Sequence, residues 1–167
     1  TLLISRAFTE GQHLGVPHVH KCWLHECAEG VIALSAGAAG EVGQALLGGR
    51  HDLAAERLRQ WMELYPGRFY LELHRTGREG DEVHVHAAVA LAGELGCPVV
   101  ATNDGRFLYP SEYEAHEARV CIHEGRTLDD PRRARLYTDQ QYLRSPAEMT
   151  ELFADIPEAL ANSVEIA

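Results

Sequence analysis

The sequence lacks any apolar run long enough to cross a membrane. A transmembrane helix needs about 20 consecutive apolar residues, and polar or charged residues interrupt every apolar stretch of this 167-residue chain. The chain also does not open on the charged, then apolar, then small-residue order of a secretory signal. We therefore expect a soluble protein of the cytoplasm, with no membrane partner.

Cysteine is scarce and irregularly spaced. The four cysteines, at positions 22, 27, 97 and 121, include no Cys-x-x-Cys pair. This spacing predicts neither a disulfide framework nor a structural zinc site. We expect the cysteines to be small buried hydrophobic residues.

Basic residues are too few for a nucleic-acid surface. Fifteen Lys and Arg stand against 25 Asp and Glu, which gives a net charge of −10. Proteins that track a phosphate backbone need the opposite sign, so we expect this segment alone to bind DNA weakly or not at all. The one basic cluster (Arg132, Arg133 and Arg135) has acidic neighbours and predicts a solvated loop.

Apolar residues, at 46% of the chain, are sufficient to bury the core of one ordinary domain. The opening letters TLLISRAF have the spacing of the middle of an amphipathic helix, with no initiator Met and no capping residue before them. We therefore expect a piece of a longer polypeptide.

Strand and helix patterns alternate from Gly30 to Thr102. The apolar letters GVIALSAG predict a buried strand and a tight loop, and FYLELHR alternates apolar with polar residues as a strand does. Helical patterns lie between and after them, near 39–48, 52–65 and 81–95, before the strand PVVAT. This alternation predicts parallel strands with crossover helices. The Gly-, Pro- and His-rich residues 11–29 predict an irregular loop.

Beyond Tyr109 the pattern is helical only. Ser111 and Glu114 have capping-box spacing for a helix that continues to about His123. Further helices are predicted at 146–153 and 155–167, with Pro157 in the first turn of the last one. We therefore predict two parts, an α/β portion over 1–109 and a helical extension over 110–167.

Candidate functional residues follow the predicted strands. The carboxyl ends of parallel strands meet at one edge of a sheet, where side chains from several strands converge. Two loops lie there, Ser35–Gly37 and Thr102–Arg106, and Asp104 with Arg106 could face one metal or phosphate. Alternatively, Asn103 and Asp104 are turn residues that bind their own backbone.

The ten histidines do not form an obvious metal site. His18 and His20 have a His-x-His spacing but lie in the predicted loop without a carboxylate downstream. His84 and His86 point to different sides of a predicted helix. The other histidines considered are predicted to be surface or capping residues (His25, His51, His116 and His123). Glu72, inside a strand, is predicted to be a paired structural acid rather than a site residue, with an Arg as its partner.

Several long segments resemble the alpha subunit of bacterial DNA polymerase III. They include GCPVVATNDGRFL (96–108), AHEARVCIHEGRTLDDPRRARLYTDQQYLRS (115–145) and ELFADIPEALANSVEIA (151–167). TLLISRAF, EGVIALSAGAAGEVG and RFYLELHRTGR extend the similarity to nearly the whole chain. The resemblance implies a partial β/α barrel of the polymerase and histidinol phosphatase (PHP) type over 1–109, followed by a helical link toward the palm domain over 110–167.

The resemblance also implies a degenerate metal site. Family members with an intact barrel site have a Cys or His where this chain has Gly37, and an Asp-x-His where it has Asp104-Gly105-Arg106. Only Asp104 remains a ligand type, because Gly37 has no side chain and Arg106 carries a permanent positive charge. The resemblance thus implies no metal and no catalytic residue in this segment, and an Arg that replaces a cation beside Asp104.

For the parent protein, the resemblance implies DNA-directed DNA synthesis, with magnesium bound by palm carboxylates outside this chain. It implies that this segment is a structural platform for a proofreading 3′–5′ exonuclease subunit, within a larger polymerase holoenzyme. Removal of the first barrel strands would leave an open strand edge, so we also expect self-association.

Two alternative functions remain. A metal-dependent phosphoesterase or 3′–5′ exonuclease barrel would need three or more ligands, and the matching positions supply one. A nucleotide-binding fold would need a glycine-rich turn, but in SAGAAGEVG Ala36 stands where the first glycine of that turn belongs.

Overall fold

A computed structural model describes all residues, 1–167. It contains eight α-helices and five short strands. In chain order they are α1 (Leu2–Thr9), β1 (Gln12–His13), β2 (Val16–Pro17), α2 (Lys21–Cys27), β3 (Ala33–Leu34), α3 (Glu41–Leu47), α4 (His51–Leu64), β4 (Phe69–His74), α5 (Asp81–Leu95), β5 (Val99–Thr102), α6 (Tyr113–Glu124), α7 (Pro146–Leu152) and α8 (Pro157–Ile166). Two 3₁₀ turns lie at Gly37–Ala39 and Pro110–Glu112.

The main sheet is parallel, in the order β3-β4-β5. β4 lies at its centre, and Phe69, Leu71 and Leu73 on one face of β4 are buried. The predicted alternation of strands and crossover helices is therefore confirmed, with α3 and α4 between β3 and β4, and α5 between β4 and β5. The first strand is shorter than predicted, because β3 lies at an edge and only two of its residues pair with β4.

Helix boundaries follow local sequence signals. α5 ends at Gly96 and α6 at Gly125, and both glycines adopt the left-handed conformation, with φ of 69° and 65°. Glycine carries no Cβ, so it adopts this conformation with little strain. The Ser145 side chain caps α7 by accepting a hydrogen bond from the Glu148 N–H, while the Glu148 carboxylate accepts one from the Ser145 N–H.

The core joins the sheet to the carboxyl-terminal helices. Phe153 and Ala159 are fully buried in the same apolar cluster as Leu58, Leu71 and Val85. Helix α8 packs along β5. The sheet and the last helices therefore share one core, and the division at 109/110 stays a prediction.

The predicted loop over 11–29 is wrong. A two-stranded hairpin (β1 and β2) and helix α2 occupy this region. The chain reverses at Leu14 and Gly15, which have φ of 51° and 82°. Trp23 in α2 is buried beneath the Arg6 guanidinium, 4.4 Å from its ring centre. This packing of apolar and cationic groups orders a segment whose strands are too short to show a periodic pattern.

Two further predictions are corrected in the helical part. Ser111 and Glu114 do not form a capping box, because α6 has no side-chain cap at its start. The Glu112 carboxylate instead accepts hydrogen bonds from the Leu108 and Tyr109 N–H groups at the start of the 3₁₀ turn Pro110–Glu112. Arg133 is not solvated, since its side chain is 3% exposed and pairs with the buried Glu117. No helix is long and apolar enough to span a membrane.

Candidate site at the carboxyl ends of the strands

The carboxyl ends of β4 and β5 and the turn after β3 border one cleft of about 590 Å³. Its lining residues are mostly polar or charged, and they include Glu72, His74, Arg78, Asp104, Arg106 and Tyr137. The two predicted loops, Ser35–Gly37 and Thr102–Arg106, thus meet at the same edge of the sheet. We refer to this feature below as the strand-end cleft.

Asp104 lies between two guanidinium groups. Its Oδ1 is 2.7 Å from Arg106 Nη2, and its Oδ2 is 3.1 Å from Arg78 Nη1. The side-chain amide of Gln141, which is fully buried, donates to Asp104 Oδ2 at 2.9 Å. Asp104 also has a left-handed backbone, with φ of 44°, a conformation that Asp tolerates better than most residues. The carboxylate therefore has both oxygens occupied by protein donors.

Arg106 also contacts Tyr137 and Gln141. Its guanidinium lies over the Tyr137 ring, 5.4 Å from the centre, a cation–π distance. Its backbone N–H donates to the Gln141 carbonyl at 2.7 Å. The predicted pairing of Arg106 with Asp104 is present, and a second arginine, Arg78, joins it.

Gly37 lies against the His74 ring. A Cβ built on Gly37 would approach His74 Nδ1 to 2.5 Å and Cε1 to 2.7 Å, far inside normal contact. Gly37 also has φ of 54°. His74, which is buried, therefore occupies the space that a side chain at position 37 would need.

His74 connects the acids of the cleft to its arginines. Its Nδ1 is 3.4 Å from Arg78 Nη2, and its Nε2 is 3.3 Å from Glu72 Oε1. Arginine can only donate, so Nδ1 faces a donor and Nε2 faces the Glu72 carboxylate. The prediction that Glu72 is a paired acid is confirmed, but its partners are His74 and Thr102, which donates at 2.6 Å, rather than an arginine.

The environment of Glu72 keeps it ionised. Burial acts to raise the pKa of Glu72, but the contacts with His74 and Thr102 outweigh burial and leave the pKa below its ordinary value. The cleft thus alternates acid, imidazole, guanidinium, acid and guanidinium along the series Glu72, His74, Arg78, Asp104 and Arg106.

The residues of the strand-end cleft are not arranged as a metal site. A metal needs several neutral or anionic donors directed at one point. No group of three or more His, Cys, Asp or Glu side chains is arranged to hold a metal ion, and both Asp104 oxygens contact cationic or amide donors. Whether the protein is free of metal stays a prediction.

The sequence patterns did not identify His74, Arg78 or Gln141 as part of the site. A signal for His74 was present, because the period of two places it on the same face of β4 as Glu72. Arg78 lies in the turn before α5, where its backbone N–H donates to Asp81 at 3.3 Å. Gln141 lies 37 residues from Asp104, and no local pattern identifies such a partner.

The remaining histidines are scattered. His18 and His20 are exposed, and His18 Nδ1 lies 3.0 Å from the Val16 carbonyl rather than near a carboxylate. His116 is buried, contrary to the prediction of a surface or capping role, because its ring packs between Phe107 and Tyr137.

Comparison with known proteins finds relatives that match the whole chain. The model of the PHP domain matches residues 1–76. Over all 167 residues the chain is 60% identical to a DNA polymerase III subunit alpha of Pseudomonas aeruginosa, 55% to one of Escherichia coli and 53% to one of Vibrio cholerae. Over its full length the chain matches DNA polymerase III alpha subunits. It spans 14% of the length of each of these relatives.

The PHP match covers only part of the strand-end cleft. Residues 1–76 include Ala36, Glu72 and His74 of the cleft, whereas Arg78, Asp104 and Arg106 follow the matched region. The relatedness to polymerase III alpha subunits, in contrast, continues to residue 167. The family resemblance inferred from the sequence is thus confirmed for the entire chain.

Proposed function

We propose that this chain is a non-catalytic structural segment of a DNA polymerase III alpha subunit. The parent subunit would carry out DNA-directed DNA synthesis, with magnesium bound by carboxylates outside residues 1–167. The observation that carries the structural role is the environment of Asp104, whose two oxygens contact Arg106 and Arg78 at 2.7 and 3.1 Å. Guanidinium groups there supply positive charge without a metal's ability to activate water.

We propose that the α/β portion belongs to a PHP-type β/α barrel and that residues 110–167 form the helical link toward the palm. The three parallel strands with crossover helices and the PHP match support this placement. The subunit would act in the cytoplasm.

A proofreading 3′–5′ exonuclease subunit and the other holoenzyme subunits are the proposed partners, on the strength of the family relationship. DNA is a partner of the parent only. A net charge of −10 opposes binding of this segment to a phosphate backbone.

The decisive experiment measures metal content and nuclease activity in a longer alpha subunit that contains this segment. Zinc, manganese and iron would be quantified in the wild type and in the variant Gly37→Cys/His74→Ala/Arg106→His. The His74→Ala change makes room for the new Cys, which would otherwise collide with the imidazole. His74→Ala alone is the matched control.

We expect the wild type to carry no zinc, manganese or iron, to lack exonuclease activity and to be active as a polymerase. Stoichiometric metal in the wild type with metal-dependent 3′–5′ cleavage would overturn the structural role and establish the phosphoesterase alternative. Binding of the exonuclease subunit is tested separately, by co-purification with the wild-type subunit and with one lacking residues 1–109.

Self-association of the isolated chain is a further proposal. β3 has no strand on its outer side, and Ile32 and Leu34 beside that edge are 45% and 40% exposed. Exposed strand edges promote pairing with other chains. Size-exclusion chromatography with light scattering should show oligomers, and a stable monomer at high concentration would refute the proposal.

A further inference from the structure

One edge of the parallel sheet is open, and the other is covered by a helix. The outer edge of β3 carries no paired strand, whereas helix α8 lies along β5. Unpaired strand edges invite further strands, and proteins block them by covering them with a helix or by other devices. The contacts between α8 and β5 therefore determine whether another strand can pair with the outer edge of β5.

The orientation of the β5 peptide groups is fixed by its pairing with β4. The Leu71 N–H donates to the Pro98 carbonyl at 2.9 Å. In a strand, successive carbonyls point to opposite sides, so those of Pro98 and Val100 face β4. The carbonyls of Val99 and Ala101 consequently point to the outer edge, where another strand would have to bind.

Two neighbouring side chains of α8 occupy these two carbonyls. Asn162 Nδ2 donates to the Val99 carbonyl at 2.7 Å. The Ser163 hydroxyl lies 2.8 Å from the Ala101 carbonyl and 2.9 Å from the Ala159 carbonyl of its own helix, and its single proton is shared between these two acceptors. The acceptors are two residues apart in β5, which is the repeat at which an adjoining strand would place its own N–H donors. Asn162 and Ser163 thus occupy the acceptors that a neighbouring strand would use.

Apolar packing holds the helix in this position. Ala159, one turn before Ser163, is fully buried, and Ile156 and Leu160 pack on the same core cluster as Val99. A strand could reach the outer edge of β5 only after displacing this packed helix.

We propose that α8 terminates the sheet at β5, and that Asn162 and Ser163 protect this edge against pairing with another strand. Additional strands of a longer chain then pair with β3. A barrel built on this sheet lacks strand-to-strand hydrogen bonds on the outer side of β5. This inference concerns the architecture of the segment and does not depend on its metal content.

The test compares self-association of the wild-type chain with that of Asn162→Ala/Ser163→Ala. We expect the variant to associate at a concentration lower by roughly tenfold, the effect of losing two net hydrogen bonds at the edge. Light scattering measures the association, and the infrared amide I band should gain intermolecular strand signal. The matched control is Val164→Ala/Glu165→Ala, which truncates the next two, exposed, positions of the same helix.

Circular dichroism establishes that each variant is folded. Should the double alanine variant unfold, Asn162→Asp decides the question, because it keeps the size of Asn162 but removes its N–H donors. Association equal to that of the control, in a folded variant, would overturn the proposal.

Discussion

The contact between Gly37 and His74 makes a quantitative prediction about Gly37→Ala. A residue with a Cβ at φ of 54° costs about 1–2 kcal/mol in left-handed strain. The new Cβ would lie 2.5 Å from His74 Nδ1, so the imidazole has to shift by about 1 Å to reach ordinary contact distance. That shift weakens the contacts of His74 with Glu72 and Arg78, each worth about 0.5–1.5 kcal/mol.

The expected loss in the free energy of unfolding is therefore about 2–4 kcal/mol for Gly37→Ala. Gly49→Ala is the matched control, because Gly49 also has a left-handed φ, of 67°, but no atom lies within 4 Å of its added Cβ. Only the strain of about 1–2 kcal/mol should appear there. Urea unfolding followed by circular dichroism provides both values.

A double-mutant cycle separates the steric contact from the backbone strain. In a His74→Ala background, Gly37→Ala should cost no more than Gly49→Ala, which gives a coupling free energy of about 1–2 kcal/mol. Equal effects of the two glycine substitutions, with zero coupling to His74, would refute our reading of the cleft.

Three further predictions concern single groups. Asp104→Asn should lower the free energy of unfolding by about 1–3 kcal/mol in urea titrations, because two arginines lose their counter-charge, whereas the exposed Asp139→Asn should change it little. Burial, followed by the charge of His74, lowers the pKa of His84, so the unfolded chain binds more protons at this residue than the folded chain does. The free energy of unfolding should therefore fall as pH drops below about 6.5, and it should fall less in His84→Leu. Cys22 is exposed, so the prediction that the cysteines are buried is wrong for this residue. Burial raises the pKa of Cys97 to about 11, so a thiol-alkylating reagent at neutral pH should label Cys22 first, as mass spectrometry of peptides would show.

The strands and helices with strong periodicity could be predicted from the sequence. α5 was predicted with its observed limits, Asp81 and Leu95, because apolar spacing and the terminal Gly96 agree. β4 was predicted because apolar and polar residues alternate along it without interruption. In both elements the local pattern and the tertiary packing favour the same structure.

Elements of two residues could not be predicted in the same way. The hairpin of β1 and β2 is too short for a period of two to be visible, and its order depends on Trp23 and Arg6 elsewhere in the sequence. The same reason applies to the candidate site. Asp104 and Arg106 are neighbours in sequence, but Arg78 is 26 residues and Gln141 37 residues from Asp104, and only the folded chain brings them together.

The mutual dependence of the cleft residues constrains how this segment can change during evolution. A side chain at position 37 is blocked while His74 is present, and loss of either arginine leaves a partly buried Asp104 short of a counter-charge. Each single step from this arrangement toward a metal-binding one therefore passes through a less stable protein. Once a lineage has acquired the arginine-neutralised cleft, selection for folding alone is enough to keep it.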